Sequence, residues 1–295
     1  MTSPLIDAFN VVSLIAVFVL ISLGLHFTFG MLGLVNLVHG ELLLIGGYAT
    51  YAVAELTGNV LLGMLAAPVV AGLVGLAMER GVLRFLYQRP LDSLLATFGL
   101  AVIIRQAVQL VYTSSPRNVP DLLRGSWLIL GVNIPRWRLV LAVLAAVLVI
   151  GAWWLLARTR FGLRARAVVA NPDLAETTGL DVGAMRAGLF TIGAALAGLA
   201  GGALAPVSTL DPQYGLLFLV NAFLVTILGG PGSLTGLVAA AAVLGGSLAL
   251  LQFVIPTVFA QILVLVIAVV GVRLRPLVVA ALAERKSHRT AVAAE

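Results

Sequence analysis

The chain has 295 residues, of which 61% are apolar and only 10% charged, and its mean hydropathy is +1.12. A soluble domain carries roughly 25% charged residues, so this composition cannot build a water-facing surface, and the alternative is a surface that faces lipid. No cysteine is present, which excludes disulfides and cysteine-ligated metals, and the net charge of +6 rests on 17 Arg and one Lys.

A helical crossing takes about 20 apolar residues, so the expected fold is an all-α, polytopic transmembrane helical bundle of about eight or nine spans, forming a single domain over 1–295. No Lys or Arg precedes the first apolar run, so that run reads as a retained helix rather than a signal peptide. It covers about Phe9–Phe29 and ends in the glycine-rich break "GMLGLVNLVHGE". Spans follow at about Leu42–Leu56, Val60–Met78 and Leu91–Tyr112, the last leading into a long polar connection up to Arg138. The next spans are about Leu139–Ala157 and Ala187–Pro206, separated by the polar segment 158–186. A short apolar run, Leu216–Leu228, is cut by "GGPGS" (229–233) before spans at about Leu234–Phe253 and Thr257–Val272, and a basic tail, 273–295, closes the chain.

Assigning alternate loops to opposite sides puts thirteen basic residues on one side: Arg80, Arg84, Arg89, Arg158, Arg160, Arg164, Arg166, Arg186, Arg273, Arg275, Arg285, Lys286 and Arg289. The other side collects four, Arg117, Arg124, Arg136 and Arg138. The positive-inside rule then makes the first side cytoplasmic, with the N-terminus outside and the C-terminus inside. That charge excess therefore reports orientation, and no nucleic-acid partner is expected.

Two interrupted elements stand out, near 30–40 and at 229–233. Irregular backbone at membrane depth is tolerated only where protein buries it or where it lines a wet cavity, and paired interruptions in the two halves of a transporter point to its translocation path. Against this, both are also readable as tight loops at the membrane surface. Asn36, His39 and Glu41 sit at the first of them, and polar groups of this kind face a cavity or one another, because hydrocarbon exposure costs roughly 2.5–3.5 kcal/mol or more for a charge. Two readings stand. These residues line or gate a passage, or Glu41 caps the next helix while His39 bonds a nearby carbonyl. Gly230 and Gly232 belong to the second break, and Thr97 and Gly99 of "LLATFGL" can approach a neighbouring helix or a solute. His26 reads as a satisfied interior histidine, and Arg105 as a side chain snorkelling to the outer interface or, alternatively, facing a pore. Ala194, Gly198 and Gly202 recur at intervals of four, a close-packing signal. No metal-ligand spacing and no H-E-x-x-H occurs, so neither a metal site nor a catalytic residue is expected.

The segment 158–186 contains a short helix over about 171–181. Asn171 caps it and Pro172 occupies its first position. Asp173 and Glu176 favour its first turns, and Gly179 stops it. About two turns of helix are not stable alone in water, so it docks either on its own membrane domain and headgroups or on a partner.

Taken in order, "GMLGLVNLVHGELLLIGGY", "LLATFGL", "RFGLRARAVVANPDLAETTGLDVGAMR", "FLVTILGGPGSLTG" and "VGVRLRP" resemble the permease subunits of branched-chain amino-acid ABC importers, a family that includes urea and short-amide permeases. The resemblance implies a bacterial inner-membrane subunit that pairs with a second, homologous permease and two cytoplasmic ATPases, and receives a small polar solute from a periplasmic solute-binding protein. It makes 171–181 the coupling helix that enters an ATPase cleft, with Asn171, Pro172, Asp173, Ala175, Glu176 and Gly179 at the contact. The importer pattern E-A-A-x-x-x-G is matched only at Ala175 and Gly179 of "LAETTGL". The chain has no G-x-x-x-x-G-K-[ST], so no cofactor is expected on it, and ATP and Mg²⁺ belong to the partner ATPases. The alternatives are import of urea or short amides by the same architecture, and a secondary transporter with His39 and Glu41 as proton relay. An intramembrane enzyme using the same two residues is disfavoured for want of a nucleophile.

Overall fold

Apolar runs punctuated by Gly, Pro and charge become long helices joined by short turns. The computed structural model describes residues 4–120, 125–129 and 132–292. Arg124 and residues 293–295 lie outside the described residues, as do the side chains of Arg285, Lys286 and Arg289. Helix α1 (Pro4–Leu25) runs on into a π-helical stretch, His26–Met31. A non-helical segment, 32–38, follows before α2 (His39–Thr57). Gly58, at φ +70°, ends α2, and the Asn59 carboxamide oxygen accepts from the Leu61 and Leu62 amides to start α3 (Val60–Gly81). A 3-10 turn, Leu83–Phe85, leads to α4 (Pro90–Tyr112).

The connection after α4 carries an antiparallel hairpin, β1 (Ser126–Ile129) with β2 (Val132–Pro135), which the pattern of apolar spans did not announce. Next come α5 (Arg136–Arg158), α6 (Arg160–Ala170), α7 (Pro172–Thr177) and α8 (Val182–Leu204), the last starting five residues earlier than its apolar run suggested. The chain ends with α9 (Tyr214–Gly229), α10 (Leu234–Gln252) and α11 (Thr257–Val292). Of α11, the segment Thr257–Arg275 is long and apolar enough to cross a membrane. Its continuation carries four alanines, the best helix former, and α11 extends through the basic tail to Val292.

Among the described residues seven helices are long and apolar enough to cross a membrane. Helix α2 has 19 residues, as many as α10, but with His39, Glu41 and Glu55 it is less apolar than those seven. Helix α9 is apolar but has only 16 residues, and at 1.5 Å per residue it reaches about 24 Å, less than the roughly 30 Å of a hydrocarbon core. The result is a helical membrane bundle whose seven candidate spans come close to the eight or nine expected.

Helix α8 is the axis: 67% of its span is buried, against 11% for α4 and 17% for both α5 and α11, which form the periphery. Lipid tails are as apolar as leucine, so helices in a membrane associate through close packing and not through a hydrophobic driving force. The small residues of α8 serve this. A Cβ on Gly198 would meet the Ala67 carbonyl of α3 at 2.7 Å, and one on Gly201 would meet the Leu43 backbone of α2. Trp137 at the start of α5 is buried and donates its indole N–H to the Ala203 carbonyl at 2.9 Å.

The packing repeats itself in two halves, α1–α4 and α8–α11. Helix α1 packs on α10 as α8 packs on α3, and α2 on α3 as α9 on α10. Likewise α2 lies against α8 as α9 lies against α1, and α4 leans on α2 as α11 leans on α9. Each half therefore contains one inner helix entered through an irregular stretch: 32–38 before α2, and 205–213 before α9, which includes the 3-10 turn Ala205–Val207. This corrects the pairing of breaks read from the sequence. The counterpart of the first break is the entry to α9, while 229–233 is a tight turn corresponding to the one between α2 and α3. Within that turn Gly230 and Gly232 have φ of +88° and +75°, and Ser233 caps α10.

Candidate functional site

The first turns of α2 and α9 meet in the middle of the bundle. Gly40 and Gly215 face each other, and a Cβ on Gly40 would lie 2.8 Å from the Gly215 carbonyl oxygen. The residue before each glycine ties its inner helix to the long helix preceding it. His39 Nε2 donates to the Ile21 carbonyl of α1 at 2.8 Å, and the Tyr214 hydroxyl donates to the Gly201 carbonyl of α8 at 2.7 Å. Because the acceptor is a carbonyl, the His39 proton must be on Nε2; Nδ1 has no partner among the described residues. The imidazole is 0% exposed.

After the glycines the two halves diverge. Glu41 follows Gly40, whereas Leu216 follows Gly215. Glu41 lies in the first turn of α2, where the helix dipole favours an anion, while the residue at the cap is Val38 with no side-chain bond. The Glu41 carboxylate pairs with Arg105 of α4: Nε donates to Oε1 at 3.1 Å, and Nη2 donates to the same oxygen. Glu41 is 1% exposed and Arg105 21%. Arg105 is thus not a snorkelling residue. Side chains on a helix slant toward its N-terminus, so an arginine near the far end of α4 reaches back along the helix toward the carboxylate.

Thr97 joins this group. Its hydroxyl donates to Val35 O at 3.2 Å, with Leu94 O also in reach at 3.0 Å, and it accepts from Leu37 N at 3.4 Å, so α4 is tied to the break on both sides of Asn36. Ser93, Thr97, Ala101 and Arg105 recur every four residues and present one small and polar face toward α2. Asn36, inside the break, is 0% exposed, and neither amide atom has a partner among the described residues. Gly99 does not join: no heavy atom lies within 4 Å of where its Cβ would sit.

Gly230 and Gly232 lie at another place, the arginine-rich end. There Gly230 packs under the Arg275 guanidinium, and Gly232 is the neighbour of Gly30 in the π-helical stretch. His26, expected to be satisfied, is buried with both ring nitrogens unpartnered among the described residues, its ring edge-on to Phe27 at 6.0 Å. The π-helical turn was invisible to a search for 3.6-residue periodicity, and such turns concentrate at functional places in helices.

Segment 158–186 is more structured than its sequence suggested. Helix α6 is capped by Thr159 Oγ1, which accepts from Gly162 N at 3.2 Å, and buries Gly162, Ala165 and Val168. Its arginines, Arg160, Arg164 and Arg166, lie on the solvent side. Asn171 then caps α7 by accepting from Leu174 N at 3.0 Å, with Pro172 at the first position. Ala175 is buried against Val168 and Val182, while Asp173, Leu174 and Glu176 stay exposed. The chain leaves α7 through Gly179 at φ +81°, with Leu180 N returning to the Ala175 carbonyl at 3.2 Å. The start of α8 is fastened to the α3–α4 turn: Arg186 sits 4.7 Å above the Tyr87 ring, and Tyr87 donates to Glu79 Oε1 at 3.4 Å. Burial and the adjacent Glu79 carboxylate push the Tyr87 phenol up from its ordinary range, so it stays a donor.

Comparison with known proteins fits this architecture. The family model described as "Branched-chain amino acid transport system / permease component" matches residues 8–272. The chain is 27% identical over 291 residues to the high-affinity branched-chain amino acid transport system permease protein LivH of Escherichia coli K12, covering 91% of this chain and 94% of that protein. It is 29% identical over 248 residues to BraD of Pseudomonas aeruginosa, a permease protein of the same kind of system, covering 78% and 79%. A 59-residue segment is 48% identical to the nucleoside ABC transporter permease protein NupC of Lactococcus lactis, covering 20% of this chain and 17% of that one. No solved structure matches the chain significantly. A multi-pass helical bundle with two facing inner helices, matched along nearly its whole length by this one model, makes the chain a member of the branched-chain amino acid transport permease family.

Proposed function

We propose that this protein is the translocating subunit of an ATP-driven, binding-protein-dependent importer of branched-chain amino acids in a bacterial inner membrane. The observation that carries the reading is the near end-to-end likeness to LivH. The chain supplies the conduit and a partner supplies the energy. Two separate ATPases bind ATP and Mg²⁺, a second, homologous permease completes the pathway, and a periplasmic protein delivers the solute. Orientation follows the arginine excess, with the N-terminus outside and the C-terminus cytoplasmic, which agrees with an odd number of crossings when α2 and α9 are counted.

In this reading the solute moves along the seam between the start of α2 and α4, lined by Asn36, Glu41 and Thr97. His39 acts as a staple that fixes the seam rather than as a proton relay. Helix α7 is the coupling helix. It is anchored to α6 and α8 through Ala175 and offers Asp173, Leu174 and Glu176 to an ATPase cleft, while Gly179 sets its exit. ATP-driven movement of α7 reaches α8 directly and the α3–α4 turn through Arg186 and Tyr87.

The segment shared with NupC favours nucleosides as a second solute class. Uptake assays on a deletion strain with leucine, valine, urea, a short amide and a nucleoside decide among these. Selective loss of leucine and valine uptake supports the proposal, and loss of nucleoside or urea uptake alone rejects it.

A further inference from the structure

We infer that the Glu41–Arg105 ion pair is a solute-exchangeable latch, opened by the two opposite charges of a zwitterion. The inference rests on the translocation reading and adds what the passage selects.

The bundle does not need this pair in order to form. The same inner turn is built in the second half around Gly215 with Tyr214 before it and Leu216 after it, so His39 and Gly40 suffice to seat α2 and an apolar residue would serve in place of Glu41. Replacing a buried ion pair by apolar groups is often neutral or stabilising. A charge kept here is therefore not explained by packing.

The pair is also half-made. Both Arg105 donors go to Oε1, while Oε2 of a carboxylate 1% exposed has no partner among the described residues. Arg105 is the accessible member, on a helix only 11% buried. In the break that Thr97 ties to α4, Asn36 holds a buried amide whose donor and acceptor are both unpartnered among the described residues.

A zwitterion matches this set. Its ammonium donates to the carboxylate of Glu41, its carboxylate takes the planar fork of Arg105 in two hydrogen bonds, and Asn36 accepts from or donates to either end. Neither charge is left unpaired during the exchange, and re-formation of the pair expels the solute. An uncharged solute such as urea or a nucleoside brings no charges to replace the two it would separate.

The test uses the whole transporter, both permeases with ATPases and binding protein, in proteoliposomes. The double variant Glu41→Gln/Arg105→Gln removes both charges and keeps hydrogen-bonding groups. The expected result is an assembled complex whose ATP hydrolysis, stimulated by loaded binding protein, stays within about twofold of wild type while leucine uptake falls at least about tenfold. Arg105→Lys, which keeps the charge and loses the fork, lowers uptake about threefold or more. Wild-type uptake in either variant overturns the inference, as does failure of the double variant to assemble, which would make the pair a structural requirement. The wild-type complex is the reference for the underlying reading. If it carries an uncharged solute and no amino acid, both fall; if it carries leucine and the neutralised pair does so equally well, the latch alone falls.

Discussion

Gly40 and Gly215 meet backbone to backbone where the first turns of α2 and α9 cross, and this contact fixes the depth of both inner helices. A side chain at either position has no space to enter. Gly40→Val forces the two turns apart and lowers stability by about 1–3 kcal/mol, the usual range for overpacking. Gly99→Ala is the control: its Cβ enters open space, and alanine gains roughly 0.5–1 kcal/mol over glycine in a helix interior. Thermal unfolding of the detergent-solubilised complex should show a clear drop for the first and none for the second.

His39 and Tyr214 do the same job in the two halves, each bonding a carbonyl of the preceding long helix. Tyr214→Phe and His39→Leu each remove that side-chain donor, at about 0.5–1.5 kcal/mol, since the carbonyl keeps its helical partner, the Ala205 N–H at Gly201. His39→Gln keeps a donor and is expected to retain most uptake. A proton relay predicts otherwise, since glutamine cannot titrate, and near-complete loss of uptake in the stably folded glutamine variant would show that the staple is not the whole role of His39.

Gly179 has open space around it but a left-handed backbone, φ +81°. Gly179→Val therefore acts through conformation and not through a clash, at roughly 1–2 kcal/mol, and redirects the exit of α7. The complex is expected to assemble and to hydrolyse ATP, with uptake reduced severalfold. Paired measurements of ATP hydrolysis and leucine uptake check this, and normal uptake counts against α7 as the coupling element.

Tyr87→Phe deprives Glu79, 2% exposed, of its donor while leaving the ring under Arg186. The cost is about 1–3 kcal/mol, read as a lower unfolding temperature. Arg186→Ala removes the contact from α8 instead, worth about 0.5–2 kcal/mol at a half-buried site. If the contact transmits movement, Arg186→Ala lowers the uptake achieved per ATP hydrolysed, an effect that loss of stability alone does not produce.

Much of this fold was legible because membrane spans are written locally, as apolar runs closed by Gly, Pro and charge. Helices α3, α4, α5 and α10 fall within a few residues of their sequence-based limits. The cap and stop of α7, Asn171 and Gly179, were readable for the same reason. Helix α6 was missed although Phe161, Ala165 and Val168 lie at helical spacing, because the arginines around them read as a loop. The polar group at the start of α2 was identified, but not its arrangement. Arg105 lies 64 residues from Glu41 and Thr97 lies 62 from Val35, so only the packing of α4 on α2 joins them. The pairing of the two halves was misread for a similar reason: "GGPGS" is conspicuous in sequence, whereas the entry to α9 at 205–213 carries no comparable signal until Tyr214 is seen bonding Gly201.

The chain is proposed to be a conduit moved by another protein's ATP hydrolysis. The most direct test is accumulation of labelled leucine in proteoliposomes that hold the permeases with and without the ATPases, with binding protein supplied outside and ATP inside. The predicted result is accumulation above the external concentration only when both ATPases and ATP are present. Uphill accumulation by the permeases alone would contradict it.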